Sequence, residues 1–100
     1  MFRIRFKEMI NINRAVLFMR GTPALPVCGL SGQIYFLLKK NKLEFETVDL
    51  SQDPELYYFL RKTNSPSRAP FLYVDGNFIG GYEELTVMLN EKKIHDFVSA

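Results

Sequence analysis

Cysteine is nearly absent from this chain of 100 residues: Cys28 stands alone. One thiol forms no internal disulfide and cannot complete a protein-only tetrathiolate metal site, so a disulfide-stapled secreted scaffold is excluded. A reducing compartment is the natural setting, the bacterial cytoplasm first and a mitochondrial or plastid matrix as the alternative. Excess charge is also lacking, since 13 Lys and Arg against 11 Asp and Glu leave +2. That is far from the dense basic surface that neutralises many phosphates, which argues against nucleic acid as the main partner. Long apolar runs are missing too. Ala15-Val16-Leu17-Phe18-Met19, as long as any, lies between Arg14 and Arg20 and falls well short of the roughly 18 residues that cross a bilayer, so no membrane role is expected. What remains, 47% apolar and 24% charged, is the composition of a soluble globular domain. A chain this short closes one hydrophobic core, so residues 1–100 are read as a single domain.

The first residues carry Arg3, Arg5, Lys7 and Arg14 against Glu8, without the apolar stretch and small-residue cleavage site of a secretory signal. Phe2, Phe6, Met9, Ile10 and Asn13 fall near helical spacing, and we read a short amphipathic helix in preference to an organellar presequence. Residues 15–19 then read as a strand covered on both faces. Two prolines and a glycine in Gly21-Thr22-Pro23-Ala24-Leu25-Pro26-Val27 forbid a regular helix and predict an extended loop. Leu30, Ile34, Leu37 and Leu38 predict a helix of about three turns beginning at the cysteine. Residues 44–50 predict a second strand, parallel to the first through a right-handed crossover. Asp53-Pro54 opens another helix that ends near Asn64. Residues 65–70 are loop by composition. Phe71-Leu72-Tyr73-Val74 and Asn77-Phe78-Ile79 pair through Asp75-Gly76, a strong hairpin signal, and complete a four-stranded mixed sheet. Beyond Gly80-Gly81, residues 83–98 have the spacing of one broken helix or two short ones.

Strand, helix, strand, then helix, hairpin and helix, with a cysteine opening the first crossover helix, is the α/β layout of the thioredoxin fold. Phe18-Met19-Arg20-Gly21-Thr22-Pro23, Cys28-Gly29-Leu30-Ser31, Ala69-Pro70 and Phe78-Ile79-Gly80-Gly81, in that order, resemble the monothiol glutaredoxins of the CGFS type. The chain departs from that pattern at Leu30, where phenylalanine is usual, at Arg20, where lysine is usual, and at Tyr82-Glu83, where an aspartate commonly follows the glycine pair. The tryptophan-proline pair usual before the second loop is absent.

A cysteine at a helix N-terminus is favoured as thiolate by the macrodipole and by unsatisfied backbone donors. Pro23, Pro26 and Gly29 offer it little apolar cover, so Cys28 is read as exposed and reactive, and as both the catalytic residue and the metal ligand. Ser31 occupies the position of a resolving thiol and cannot act as one. Two uses of Cys28 stay open: exchange with a glutathione mixed disulfide resolved by a second glutathione, or ligation of a metal. A 2Fe-2S cluster takes four ligands. The resemblance implies a homodimer bridged by such a cluster, held by two Cys28 thiolates and two glutathione thiolates and passed to iron-sulfur recipient proteins.

The resemblance also implies a glutathione site. Arg20 approaches Cys28 and the glycine carboxylate of glutathione, and its guanidinium can bind that carboxylate in bidentate fashion. Leu30 lies beside the thiol. Pro70 takes the place of the fold's cis-proline, and the Ala69 backbone pairs with the cysteinyl unit like an added strand. Gly81 permits close backbone approach, the amides of Tyr82 and Glu83 seat the γ-glutamyl carboxylate, and Glu83 meets its ammonium. Arg68 is a further anion-binding candidate but is expected to be solvated. Tyr57 and Tyr58 are read as core and rim, and His95 as a surface residue. Against an iron-sulfur carrier stand a glutathione-dependent thiol-disulfide oxidoreductase, at most weakly active, and a thioredoxin-fold adaptor that has lost glutathione binding.

Overall fold

The sequence places an arginine just outside each end of its most apolar segment, and the fold grows around that segment. The structure, a computed structural model, describes residues 2–27 and 29–98, with side chains from 6 to 96, so Cys28 lies outside the described residues. Helix α1 spans Phe2–Ile12, and strand β1 follows at Ala15–Met19, buried at every position. Helix α2, Gly29–Lys40, crosses over to strand β2, Glu46–Asp49. A 3-10 turn at Leu50–Gln52 leads into helix α3, Pro54–Thr63. Strands β3, Phe71–Val74, and β4, Asn77–Gly80, form the hairpin, and helices α4, Tyr82–Asn90, and α5, Ile94–Val98, close the described chain.

The sheet runs in the order β2-β1-β3-β4, with β1 parallel to β2 and antiparallel to β3. Alternation along β1 divides the core in two, because successive side chains point to opposite faces. Ala15, Leu17 and Met19 pack with Ile34 and Leu38 of α2 and with Leu85 of α4. Val16 and Phe18 pack on the other face with Phe6, Leu56 and Leu60. Phe6 is buried against Phe18 and Tyr73, at ring separations of 5.5 and 5.2 Å, so the N-terminal segment is a packing helix. This is the thioredoxin fold expected from the order of elements.

The second strand is shorter at both ends than the expected 44–50. It begins at Glu46 and stops at Asp49, excluding Leu50, because the Asp49 carboxylate accepts from the Ser51 N–H and turns the chain. The last segment takes the form of two short helices, one of the two arrangements expected, with Lys92 at φ 58° between them. Asp53 caps α3 by accepting from the Leu56 N–H, and Pro54 takes its first turn, as the sequence predicts. Among the described residues no helix is long and apolar enough to cross a membrane.

Candidate functional site

The site is built where the C-terminal end of β1 meets the start of α2. After Arg20 the chain does not simply extend, as predicted, but closes on itself. The Val27 N–H donates to the Arg20 carbonyl at 2.9 Å, and Thr22 and Leu25 exchange backbone hydrogen bonds at 3.2 and 3.1 Å. Gly21 makes this closure with φ +99°, where a Cβ would lie 2.7 Å from the Leu25 carbonyl oxygen and 2.9 Å from the Pro26 carbonyl carbon. Its N–H donates to Asp49 Oδ1 at 2.8 Å, and that oxygen also accepts from the Ser51 hydroxyl and N–H. Those donors, the Ser51 hydroxyl foremost, hold the Asp49 carboxyl below the usual carboxylate range. The loop therefore arrives at position 28 anchored to both β1 and β2. Leu25 and Val27 on it are 76% and 62% exposed.

Gly29 opens α2 directly after Cys28, the arrangement expected, while the thiol itself lies outside the described residues. Ser31 is fully buried, and its Oγ accepts the Arg20 N–H at 3.1 Å. The residue standing where a resolving thiol would stand thus ties β1 to α2.

Arg20, Leu30, Tyr57, Arg61, Arg68 and Ala69 line one cavity of about 260 Å³. Arg20, Leu30, Arg68 and Ala69 are predicted site residues, and the fold brings them together. The Ala69–Pro70 peptide is cis, as the resemblance implies, and both residues are buried; Ser65–Pro66 is cis as well, which the loop composition did not indicate. Tyr57 and Arg61 are the residues the sequence reading missed. Tyr57, read as core, is half-buried and carries the Arg20 guanidinium over its ring at 5.1 Å and that of Arg61 at 5.6 Å. The available signal was their four-residue spacing on α3, which sets both on one face.

Two expectations at the start of α4 are corrected. The Tyr82 N–H, expected to help seat a carboxylate, donates to the Arg68 carbonyl at 2.8 Å. Gly81 does allow close approach, but to this chain's own loop: a Cβ there would meet Ser67 Cβ at 2.9 Å and the Arg68 nitrogen at 3.0 Å. Arg68 is exposed, as expected, and also pairs with Glu83, its Nε donating at 2.6 Å, and lies over the Tyr82 ring at 5.4 Å. The Arg68 hydrogen bond holds the Glu83 carboxyl below its ordinary range. The physical reason is common to both, since loop 65–70 packs directly on the helix start and takes up its polar groups. Glu84 locks the same junction by accepting from the Gly81 N–H at 2.7 Å and the Ser67 hydroxyl at 2.9 Å. Among the described residues no group of three or more His, Cys, Asp or Glu could hold a metal ion, and His95 is exposed on α5, away from this site.

Comparison with known proteins agrees with this fold. The Glutaredoxin family model matches residues 15–79. Probable monothiol glutaredoxin 2 of Rickettsia typhi is 38% identical over 75% of this chain and 68% of its own length. Monothiol glutaredoxin-S17 of Arabidopsis thaliana is 35% identical over 92% of this chain. The chain spans about a fifth of the length of that plant relative, covering 21% of it. Among solved structures, reduced poplar apo GrxS14 superposes with a TM-score of 0.78 at 27% identity, over 95% of this chain and 87% of that one. A buckwheat glutaredoxin solved as its glutathione complex superposes at 0.79 with 17% identity, over 96% and 86%, which shows the fold. By its sequence over residues 15–79 and by its fold, the chain belongs to the glutaredoxin family.

Proposed function

We propose that this chain is a monothiol glutaredoxin of the CGFS type, with leucine in place of the phenylalanine at Leu30. In this reading it binds glutathione and shares a 2Fe-2S cluster with a second copy of itself, for delivery to iron-sulfur recipient proteins in a reducing compartment. The observation that carries the proposal is the cavity of about 260 Å³ walled by three guanidiniums beside the start of α2. Glutathione is a peptide with a charge pattern that differs between its ends. Its glycyl end bears a carboxylate alone, which suits Arg20 and Arg61; its γ-glutamyl end bears a carboxylate and an ammonium, which suits the Arg68 and Glu83 pair. Charge of both signs at that pair replaces the helix-start amides as the recognition element for the γ-glutamyl end. Ala69, in the cavity wall before the cis peptide, is the backbone that would run beside the cysteinyl unit.

The donor set decides the stoichiometry of the cargo. A 2Fe-2S cluster takes four ligands. One chain has one thiol, and among the described residues no cluster of three or more His, Cys, Asp or Glu could hold a metal, so in this reading two Cys28 thiolates and two glutathione thiolates make up the four. Ser31 cannot resolve a mixed disulfide, and its hydroxyl is engaged by the Arg20 N–H, which favours carriage over rapid thiol exchange.

Anaerobic reconstitution with iron, sulfide and glutathione tests the proposal. A coloured dimer is expected, reverting to colourless monomer on cluster loss, and Cys28→Ser should abolish it. Full cluster occupancy in a monomer, or without any added thiol, overturns the cluster reading. Exchange of glutathionylated substrates as fast as by a dithiol glutaredoxin would favour the oxidoreductase instead.

A further inference from the structure

Tyr57 occupies an unusual place in the cavity, because a single ring holds two cations that arrive from different parts of the chain. Arg20 comes from the end of β1, and Arg61 from one turn further along α3 than Tyr57 itself. Both guanidinium carbons lie within 5.6 Å of the ring centroid. Two guanidiniums brought this close repel each other, and the negative face of an aromatic ring offsets part of that repulsion. Neither arginine forms an ion pair with a carboxylate among the described residues, whereas Arg68, in the same cavity wall, pairs with Glu83. Attraction to a ring consumes no hydrogen-bond acceptor, so it orders a guanidinium while leaving its N–H donors to a ligand.

We propose that Tyr57 is a positioning residue whose ring mounts Arg20 and Arg61 as one clamp for a lone carboxylate, the glycyl end of glutathione. The inference rests on the glutathione-binding reading above. The ring need not touch the ligand. It lowers the ordering cost that two long side chains otherwise bear on binding, which is the ordinary source of gain from preorganisation. Because the ring acts through the two arginines, its effect belongs to the glycyl carboxylate and not to the rest of the tripeptide.

The test compares the unsubstituted protein with Tyr57→Phe, which keeps the ring, and Tyr57→Leu, which removes it. Calorimetry is run with glutathione and with glutathione whose glycyl carboxylate is masked as the ethyl ester. The unsubstituted protein should bind the ester roughly tenfold or more weakly than glutathione. Tyr57→Phe should stay within about twofold for both ligands, while Tyr57→Leu should lose roughly tenfold for glutathione and little for the ester. Should Tyr57→Leu fail to fold, nitrogen-15 relaxation of the Arg20 and Arg61 side-chain Nε–H groups in the ligand-free unsubstituted protein decides. Ordered groups support the mount, and order parameters below about 0.6 overturn it. Equal losses for the two ligands in Tyr57→Leu, or a loss in Tyr57→Phe as large as in Tyr57→Leu, also overturn it. Equal affinity of the unsubstituted protein for the two ligands removes the clamp and leaves the glutathione reading standing. If it binds neither ligand, the glutathione reading itself fails and the clamp with it.

Discussion

The two ends of β1 are flanked by an arginine each, and the surroundings of those arginines differ in a way that separates the proposed binding site from a surface hollow. Arg14, at the N-terminal end, opens onto a cavity of about 490 Å³ that also holds Lys42, His95, Glu44 and Glu46, and it pairs with Asp75 at 3.6 Å. Arg20, at the other end and about 20 Å away across the five-residue strand, faces about 260 Å³ whose wall contains three guanidiniums and no carboxylate. The larger hollow carries basic and acidic groups together and its arginine is already paired, so an anion entering it must compete with Asp75 for Arg14. The smaller one is unbalanced, and an anion there adds interactions without displacing any at Arg20 or Arg61. Charge left without a partner marks the site better than volume does.

Breaking the Arg20 end through its backbone should have the largest effect. Gly21→Ala forces a left-handed φ on a residue with a Cβ and drives that atom into the Leu25 and Pro26 backbone. Strain alone costs about 1–3 kcal/mol, and the clash adds to it. Denaturant unfolding should show the loss, and glutathione affinity should fall with it. Unchanged stability would mean that the closure of loop 21–27 contributes nothing.

Next comes the charge itself. Arg20→Ala should weaken glutathione by roughly ten- to a hundredfold and speed cluster loss, as expected for a charge-assisted contact of about 1.5–3 kcal/mol. Arg20→Lys keeps the cation but not the planar fork and should cost much less if charge dominates. If alanine alters neither affinity nor cluster decay, the carboxylate anchor lies with Arg61 or Arg68 instead.

Smaller effects should follow from the groups that hold this end in place. Ser31→Ala deprives the Arg20 N–H of its acceptor in a fully buried setting and should destabilise the protein by about 1–2 kcal/mol in chemical unfolding. Asp49 supplies a pH-dependent contribution. Its carboxyl is held below the ordinary value of about 3.8 in the folded protein, so the associated stability is present above that value and is lost as pH falls through the lower folded one. Asp49→Asn should remove this part of the acid dependence, and an unchanged acid limb of the stability curve would assign that dependence elsewhere.

Legibility followed distance along the chain. The elements were readable because their signals are local: Asp53-Pro54 opens α3, Asp75-Gly76 turns the hairpin, and the apolar run of β1 is buried on both faces as expected. Arg20, Leu30, Arg68 and Ala69 were named through the motifs they sit in or beside, and they do share a cavity. What could not be read was which polar groups consume one another. Gly21 meets Asp49 across 28 positions, the Tyr82 N–H meets the Arg68 carbonyl, and Tyr57 lies under an arginine from a different element. Helical spacing makes Tyr57 look like core, because a ring that packs against the core and also carries cations over its face has the same periodicity as one that only packs.

The smallest effect belongs to the opposite end of the strand and serves as the control for the comparison. Arg14 and Asp75 are 47% and 61% exposed, and their 3.6 Å contact is a solvent-screened pair of a kind that contributes little. Arg14→Ala should therefore change unfolding stability by less than about 0.5 kcal/mol. It should leave glutathione affinity and cluster lifetime unchanged, since the charge it removes is already matched by Asp75 and by the carboxylates in the same hollow. Both substitutions remove one positive charge from a flank of the same strand, so a nonspecific electrostatic attraction of glutathione would weaken alike in Arg14→Ala and Arg20→Ala. A difference of tenfold or more between them isolates the local arrangement at Arg20 as the cause. Equal losses would mean that net charge, and not the unbalanced cavity, draws the ligand.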